Sequence, residues 1–396
     1  MADRFDVIIV GAGPSGSVAA ANLAKYGLKT ALIDKETFPR YKSCGDGITA
    51  DGLAVLDKLG LGAWAEQFPA FEGLRFSSPD QTIVSIPLKT DRGQLMGRTI
   101  PRHLFDNQIA QFALQQGAKF MQGIKVNHIE YLEDGVLVKS ENQQFEGQFL
   151  ILAEGSNAPL AKSLGLVTDG PELMAARQYL TGDAVNDPFL EVHFQSSIIP
   201  GYNWMFPVGN GRINIGTGTF QKRIKNRELS LREELERFKS DPILRGRLDH
   251  TEPDSPIEGH PLRTQFGYST THSNRTLLVG DAAGLVNPFT GVGIGPGMMS
   301  GDLAAKTIQR VFDNGLINTM NLSDYTNALN QQFASARKAA QRLRKFLSSP
   351  SRLNNLFSLL KQDPTLAALL GDIFFDKKPA TTAFRLETLF KVLPRL

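Results

Sequence analysis

Asp6-Val7-Ile8-Ile9-Val10-Gly11-Ala12-Gly13-Pro14-Ser15-Gly16 is the stretch from which the fold can be read. The apolar run 6–10 reads as a strand buried on both faces, because its hydrophobic residues follow one another instead of alternating. Gly11, Gly13 and Gly16 have the G-x-G-x-x-G spacing, which allows a tight turn, close approach of the backbone to a pyrophosphate, and tight packing of helix on strand. An alanine-rich helix follows Ser15, and its N-terminus would face the phosphates. The next strand, 29–33, ends on Asp34, where a carboxylate can accept hydrogen bonds from ribose hydroxyls. Strand, glycines, helix, strand and acid in register predict a dinucleotide site. The plainer alternative is a glycine-rich turn followed by a surface Asp.

Composition bounds the rest. The chain has 396 residues, 43 basic against 40 acidic, 41% hydrophobic content and one cysteine. That balance excludes intrinsic disorder and collagen-like repeats, and the length predicts two or three domains. A lone Cys44 can form no internal disulfide and no zinc site by itself, which fits a reducing, cytoplasmic compartment. No signal-peptide pattern precedes the first strand. No run approaches the roughly 18 apolar residues of a membrane-spanning helix. The histidines show no metal-ligand spacing, so no metal is expected.

The pattern predicts an α/β protein with a Rossmann-like dinucleotide-binding domain, an inserted antiparallel β-sheet substrate domain and a helical C-terminal region. Short strands are expected over 74–88 and 97–100, a helix over 102–116, and a hairpin over 124–139 turned at Asp134-Gly135. Residues 173–220 read mostly as strand, with turns at Gly182-Asp183 and Gly209-Asn210-Gly211. A buried strand returns at 276–279, followed by a glycine-punctuated helix over about 291–312. From residue 322 the chain reads as helical, broken near Ser349-Pro350, Asp363-Pro364 and Lys378-Pro379. The expected division is 1–71, 97–165 and 262–320 for the nucleotide domain, 72–96 and 166–261 for the β-rich domain, and 321–396 for the helical cap.

A second signal is Gly280-Asp281-Ala282-Ala283-Gly284, then Pro288, then Gly291-Val292-Gly293-Ile294-Gly295. A carboxylate at a strand end beside a small-residue helix N-terminus suits a ligand with a polyol and an anion-forming ring, as in FAD. Asp281 would bind the ribityl chain, and the amides of Gly293 and Ile294 would stabilise charge at the N1/C2 carbonyl edge. A purely structural strand-to-helix turn is the alternative.

With these motifs the sequence resembles flavoproteins of the p-hydroxybenzoate hydroxylase fold. The resemblance extends to Arg102-His103-Leu104-Phe105-Asp106-Asn107-Gln108-Ile109, which implies that Arg102 contacts FAD, and to Val126, whose backbone would meet the adenine. Glu154, in Ala153-Glu154-Gly155-Ser156, stands where the family usually has Asp. More specifically, Phe38-Pro39-Arg40-x-Lys42-x-Cys44-Gly45-Asp46-Gly47 and Pro200-Gly201-Tyr202-Asn203-Trp204-Met205-Phe206-Pro207 resemble the geranylgeranyl reductase family. Val292 departs from the Glu that many relatives carry. The resemblance implies that Cys44, Gly45 and Gly47 lie beside the flavin. It further implies an FAD-dependent reductase of C=C bonds in a polyprenyl chain, by hydride from flavin N5 plus a proton, with NADPH or a ferredoxin as electron donor. Catalytic roles then fall to Cys44, Tyr202 and Trp204, and a substrate wall to Tyr202, Trp204 and Phe206.

The residues themselves leave alternatives. Tyr202, Trp204 and Phe206 share one strand face, which by pattern alone is more often the mark of ordinary core. Cys44 is either a small buried hydrophobe or a reactive thiol near Lys42 and Arg40. A flavin monooxygenase or halogenase acting through a flavin hydroperoxide is the rival activity, although Tyr202 and Phe206 depart from the halogenase Trp-x-Trp-x-Ile-Pro motif. Finally, residues 325–361 hold Arg337, Lys338, Arg342, Arg344, Lys345, Arg352 and Lys361 and no acid. That stretch is either a solvated face or a peripheral contact with an anionic membrane, which a prenyl-lipid substrate would call for. No nucleic-acid partner is expected.

Overall fold

The computed structural model describes residues 3–87, 97–182, 188–268, 270–315, 322–375 and 377–384. Strand Asp3–Val10 lies at the centre of the first sheet, between Thr30–Ile33 and Gln144–Leu152, and pairs with both in parallel. Val7, Ile8 and Ile9 are fully buried. Helix Pro14–Lys25 packs against this strand, and Val136, Val138 and Phe149 belong to the same buried core, which explains the unbroken apolar run. Lys119–Met121 extends the sheet beyond Thr30–Ile33, and Thr276–Leu278 extends it beyond Gln144–Leu152. The parallel strands therefore lie in the spatial order 3-2-1-4-5, counted along the chain. The order reverses between Asp3–Val10 and Gln144–Leu152, and ligands of such sheets bind outside the carboxyl ends of the strands at that point. The expected hairpin is present as Val126–Leu132 and Gly135–Ser140, continuing antiparallel onto Gln144–Leu152.

Helix Pro14–Lys25 starts directly after the glycine turn and packs on helices Arg102–Gln115 and Ile294–Asp313.

The second sheet runs in the order Thr251–Pro253, Leu173–Gly182, Arg212–Phe220, Tyr202–Gly209, Phe189–His193, Gly73–Ser77, Ile83–Pro87. Glu258–Leu262 also pairs with Leu173–Gly182. All pairs are antiparallel except one. Gly73–Ser77 joins Phe189–His193 in parallel, because the chain leaves the sheet to build part of the first domain before returning. One face packs Met205, Ile213 and Ile215 against Leu235 and Phe238 of helix Leu231–Lys239. The other face turns towards the first sheet and the C-terminal helices.

Those helices are Ser323–Leu329, Ser335–Phe346, Pro350–Gln362 and Pro364–Phe374. The break at 363–364 is capped by Asp363, whose carboxylate accepts from Thr365 N and Leu366 N, with Pro364 opening the next helix. The last two of these helices lay Leu353, Phe357, Leu360 and Phe374 on Leu74, Phe76, Leu190 and Val192 of the second sheet. Among the described residues no helix is long and apolar enough to cross a membrane. Asp183, residues 88–96 and residues 385–396 of the expected helical cap lie outside the described residues.

Candidate active site

A cavity, open to solvent, lies between the two sheets at the carboxyl ends of the parallel strands.

At the dinucleotide end the glycines differ in what demands them. Gly11 has φ +108°, and a Cβ there would stand 2.3 Å from Ala153 O. A Cβ on Gly16 would stand 1.9 Å from Gly11 O. Both are required by the chain itself. Gly13 is different: its added Cβ would meet no protein atom nearer than Arg40 Nη2 at 3.9 Å, and the residue lines the cavity. The space over Gly13 is a cradle that a side chain would fill. Ser15 lines the cavity beside it. Asp34 is buried and braces the turn from below, accepting from Ala12 N at 2.6 Å and Glu36 N at 2.9 Å. Ile124 N donates to Asp34 O at 2.9 Å, which brings the strand beginning at Val126 alongside.

Glu154 has a local structural task. Its carboxylate accepts from Leu160 N at 2.8 Å and Ala161 N at 2.7 Å, capping helix Pro159–Ser163. The longer side chain reaches those amides across the turn.

Asp281 lines the opposite wall and accepts from Ser156 Oγ at 2.7 Å. Gly293 caps helix Ile294–Asp313, and a Cβ on it would stand 3.3 Å from Asp281 Oδ1. The amide end of this helix and the carboxylate thus face the cavity together. Val292 is held through its backbone: its carbonyl accepts from Asn287 N at 2.7 Å and its N–H donates to Thr290 Oγ1 at 3.3 Å. That loop needs no acidic side chain at position 292.

Two cavity residues have no side-chain partner. Lys42 makes no hydrogen bond or ion pair among the described residues, and burial together with the Arg102 cation pushes its ammonium pKa down. His260 leaves Nε2 buried without a hydrogen bond, and burial, reinforced by the Lys42 charge, pulls it down to about 3. An ammonium and a neutral imidazole facing empty space fit a ligand that carries anionic and carbonyl groups. The sequence reading missed His260, which no motif marks.

Cys44 lies on the third wall with Gly45 and Gly47. The cation beside its sulfur is Arg102, rather than the Lys42 and Arg40 expected from sequence proximity. Arg102 is buried and forked onto Asp106, Nε to Oδ1 at 2.7 Å and Nη2 to Oδ2 at 2.7 Å, and Arg40 adds a third contact to Asp106 at 2.9 Å. Burial alone would raise the Asp106 pKa, but Arg102 and Arg40 hold it below the usual carboxylate range.

Tyr202, Trp204 and Phe206 do share a face, with neighbouring rings 6.2 and 6.3 Å apart. They line the cavity, while Asn203 and Met205 are buried beneath the sheet. The rings find room because the paired strand carries glycine: a Cβ on Gly216 would stand 2.1 Å from Trp204 Cζ2. Phe374 closes this end, 6.1 Å from Tyr202 and 6.2 Å from Phe289.

Residues 4–314 match the FAD binding domain family. The chain belongs to that family. The cradle over Gly13, the helix N-terminus facing Asp281 and the unpartnered Lys42 and His260 all fit FAD, and the protein is an FAD-dependent oxidoreductase. It is 30% identical to a menaquinone reductase of Mycolicibacterium smegmatis, over 95% of this chain and 94% of that protein. It is 27% identical to digeranylgeranylglycerophospholipid reductase 2 of Methanosphaera stadtmanae, over 87% and 88% of the two chains. The crystal structure of a geranylgeranyl bacteriochlorophyll reductase-like protein from Thermoplasma acidophilum superposes with a TM-score of 0.83 at 22% identity, covering 97% of this chain and 99% of that one. The flavin-dependent brominase Bmp2 shares the fold, with a TM-score of 0.76 at 19% identity over 98% and 97% of the chains. These relatives agree with the sequence resemblance, and the chain is a flavoprotein of the geranylgeranyl reductase family.

Proposed function

We propose that this flavoprotein saturates C=C bonds in the polyprenyl chain of a quinone or other lipid. The observation that carries the reading is the continuity of the cavity from the Gly13 cradle, past Cys44, onto the apolar wall of Tyr202, Trp204 and Phe206 closed by Phe374. When bound, FAD supplies a hydride from its reduced ring. The chain's own residues do the rest. Gly13, Ser15, Lys42 and the amides of Gly293 and Ile294 receive the anionic parts of the cofactor, and Asp34 takes the adenosine ribose. Asp281 binds the ribityl chain, and Arg102 with the Cys44, Gly45 and Gly47 backbone flanks the ring. The aromatic face holds the chain in an apolar groove and stabilises positive charge developing on the alkene. A proton on the second carbon completes the addition, given by the Cys44 thiol, which water reprotonates, or by a water beside the flavin.

A quinone tail is favoured over other prenyl lipids by the menaquinone reductase, which is similar to this chain over almost its full length. The electron donor is of the NADPH or ferredoxin class. The same reading puts the enzyme at an anionic membrane surface, where Lys338, Arg342, Lys345, Arg352 and Lys361 are exposed. Two other basic residues of that stretch belong to the fold. Arg337 is buried and donates to Val286 O, while Arg344 donates to Pro288 O at 3.2 Å, pairs with Glu172 at 3.5 Å and lies over the Phe220 ring.

The test is anaerobic. Dithionite-reduced holoenzyme mixed with menaquinol in detergent should reoxidise its flavin and, once the quinol ring has been oxidised back in air before mass analysis, leave the lipid two mass units heavier per bond saturated. Turnover that needs oxygen and adds oxygen or halogen would refute the reading in favour of the monooxygenase or halogenase alternative.

A further inference from the structure

Asp46 stands between two glycines in Cys44-Gly45-Asp46-Gly47, fully buried and with φ +62°. The left-handed conformation is costly for a residue with a side chain, and Asp and Asn tolerate it best. Glycine would meet the backbone requirement at no cost. A carboxyl group is nevertheless kept there, out of water, where burial raises its pKa.

Its contacts supply the reason. The Asp46 carboxylate accepts from Tyr179 Oη, from Asn214 Nδ2 at 2.8 Å and from Arg102 N at 3.2 Å. These donors come from two strands of the second sheet and from the start of helix Arg102–Gln115. Asn214 also donates from Nδ2 to Cys44 O at 2.6 Å, and its Oδ1 accepts from Trp204 Nε1 at 3.0 Å. A carboxylate only accepts, so it compels the Asn214 amide to present NH2 to Asp46 and Cys44 and oxygen to Trp204. The thiol loop and the aromatic wall are thereby locked in one register. Arg177 and Arg212 stack on the two sides of Tyr179, 4.2 and 3.9 Å from the ring centre, and keep its hydroxyl in place.

We propose that Asp46 is a positioning residue, one that fixes the Cys44 thiol against Trp204 through Asn214. The proposal deepens the reductase reading, and its test needs no lipid substrate. Cys44 is the only cysteine, so alkylation of the FAD-loaded protein by N-ethylmaleimide, followed by intact mass, reports on this loop alone. Asp46→Asn keeps the backbone and the volume but turns an NH2 towards one of three donors. The expected result is a Cys44 alkylation rate raised about fivefold or more, with FAD content near that of the wild type and a melting temperature lowered by the unpaired buried donor. Asn214→Ala should reproduce the increase, and the double variant should add nothing further, which separate loosened loops would not do. Where Asp46→Asn does not fold, Tyr179→Phe, which removes a single donor, decides in its place. Alkylation within about twofold of wild type in the folded variants, or additive effects in the double variant, overturns the proposal. The anaerobic lipid experiment can fail without changing either outcome.

Discussion

Gly301, in the middle of helix Ile294–Asp313, lies against the backbone of Ser15: a Cβ on Gly301 would stand 2.2 Å from Ser15 O. This contact joins the helix that faces Asp281 to the helix that opens at Gly13, so the two halves of the cofactor site share one packing distance. Neither backbone can give way locally. Gly301→Ala is expected to destabilise the protein by about 1–3 kcal/mol, despite the better helix propensity of Ala, and to lower bound FAD. Thermal unfolding and the flavin-to-protein absorbance ratio measure both. An unchanged melting temperature would show that the helices can separate freely.

Gly13→Ala is predicted to behave in the opposite way. The new methyl group meets no protein atom closer than 3.9 Å, so the FAD-free protein should melt as the wild type does. FAD affinity should fall about tenfold or more, because the methyl group occupies space the phosphates need. Titration calorimetry on the FAD-free proteins separates the two effects.

His260 carries a pH prediction. Its folded-state value, about 3, lies below the ordinary 6.5, so the unfolded chain takes up a proton that the folded one refuses. The stabilising contribution is present above about 6.5 and declines as pH falls towards 3. Denaturant titrations of the FAD-free protein between pH 7 and 4 should show a steeper loss of stability for the wild type than for His260→Gln. Parallel curves would mean that the imidazole is not kept neutral.

Trp204→Ala should leave FAD bound but lower kcat/KM for a prenylated quinone by about tenfold or more. The ring covers Gly216 and donates to Asn214, so its loss removes both a wall and an anchor. Steady-state kinetics with a fixed artificial reductant checks this. An effect confined to FAD retention would move Trp204 from the substrate wall to the cofactor site.

Binding to vesicles that contain anionic lipid should weaken with salt and with Lys338, Arg342 and Lys345 changed together to Gln. Arg337 and Arg344 are unsuitable for this test, since their replacement removes contacts inside the protein. Co-sedimentation that is insensitive to both changes would leave the basic residues as a solvated face.

The sequence made the first sheet legible because each local signal agreed with its neighbours: a double-buried strand, glycines, an alanine-rich helix and Asp34. The aromatic stripe was legible as a shared face, but whether it lay in the core or on a wall was not. That depended on Gly216 and Gly218 across the strand and on Phe374, far along the chain. Asp46 was passed over because a residue between two glycines reads as turn. Its meaning depends on Tyr179 and Asn214, which only strand register brings to it. The basic stretch shows the converse, since counting charges could not tell Arg337, which bonds a carbonyl in the interior, from exposed Lys338.

Phe374 and Phe375 seal the cavity, packing on Phe76 at 5.1 Å and Phe71 at 5.0 Å. They leave the ribosome after every residue assigned to the flavin. During synthesis the cofactor cradle can therefore be complete while Leu74, Phe76, Val84 and Ile86 still present an uncovered greasy sheet. The C-terminal helices act as the stopper that ends the exposure.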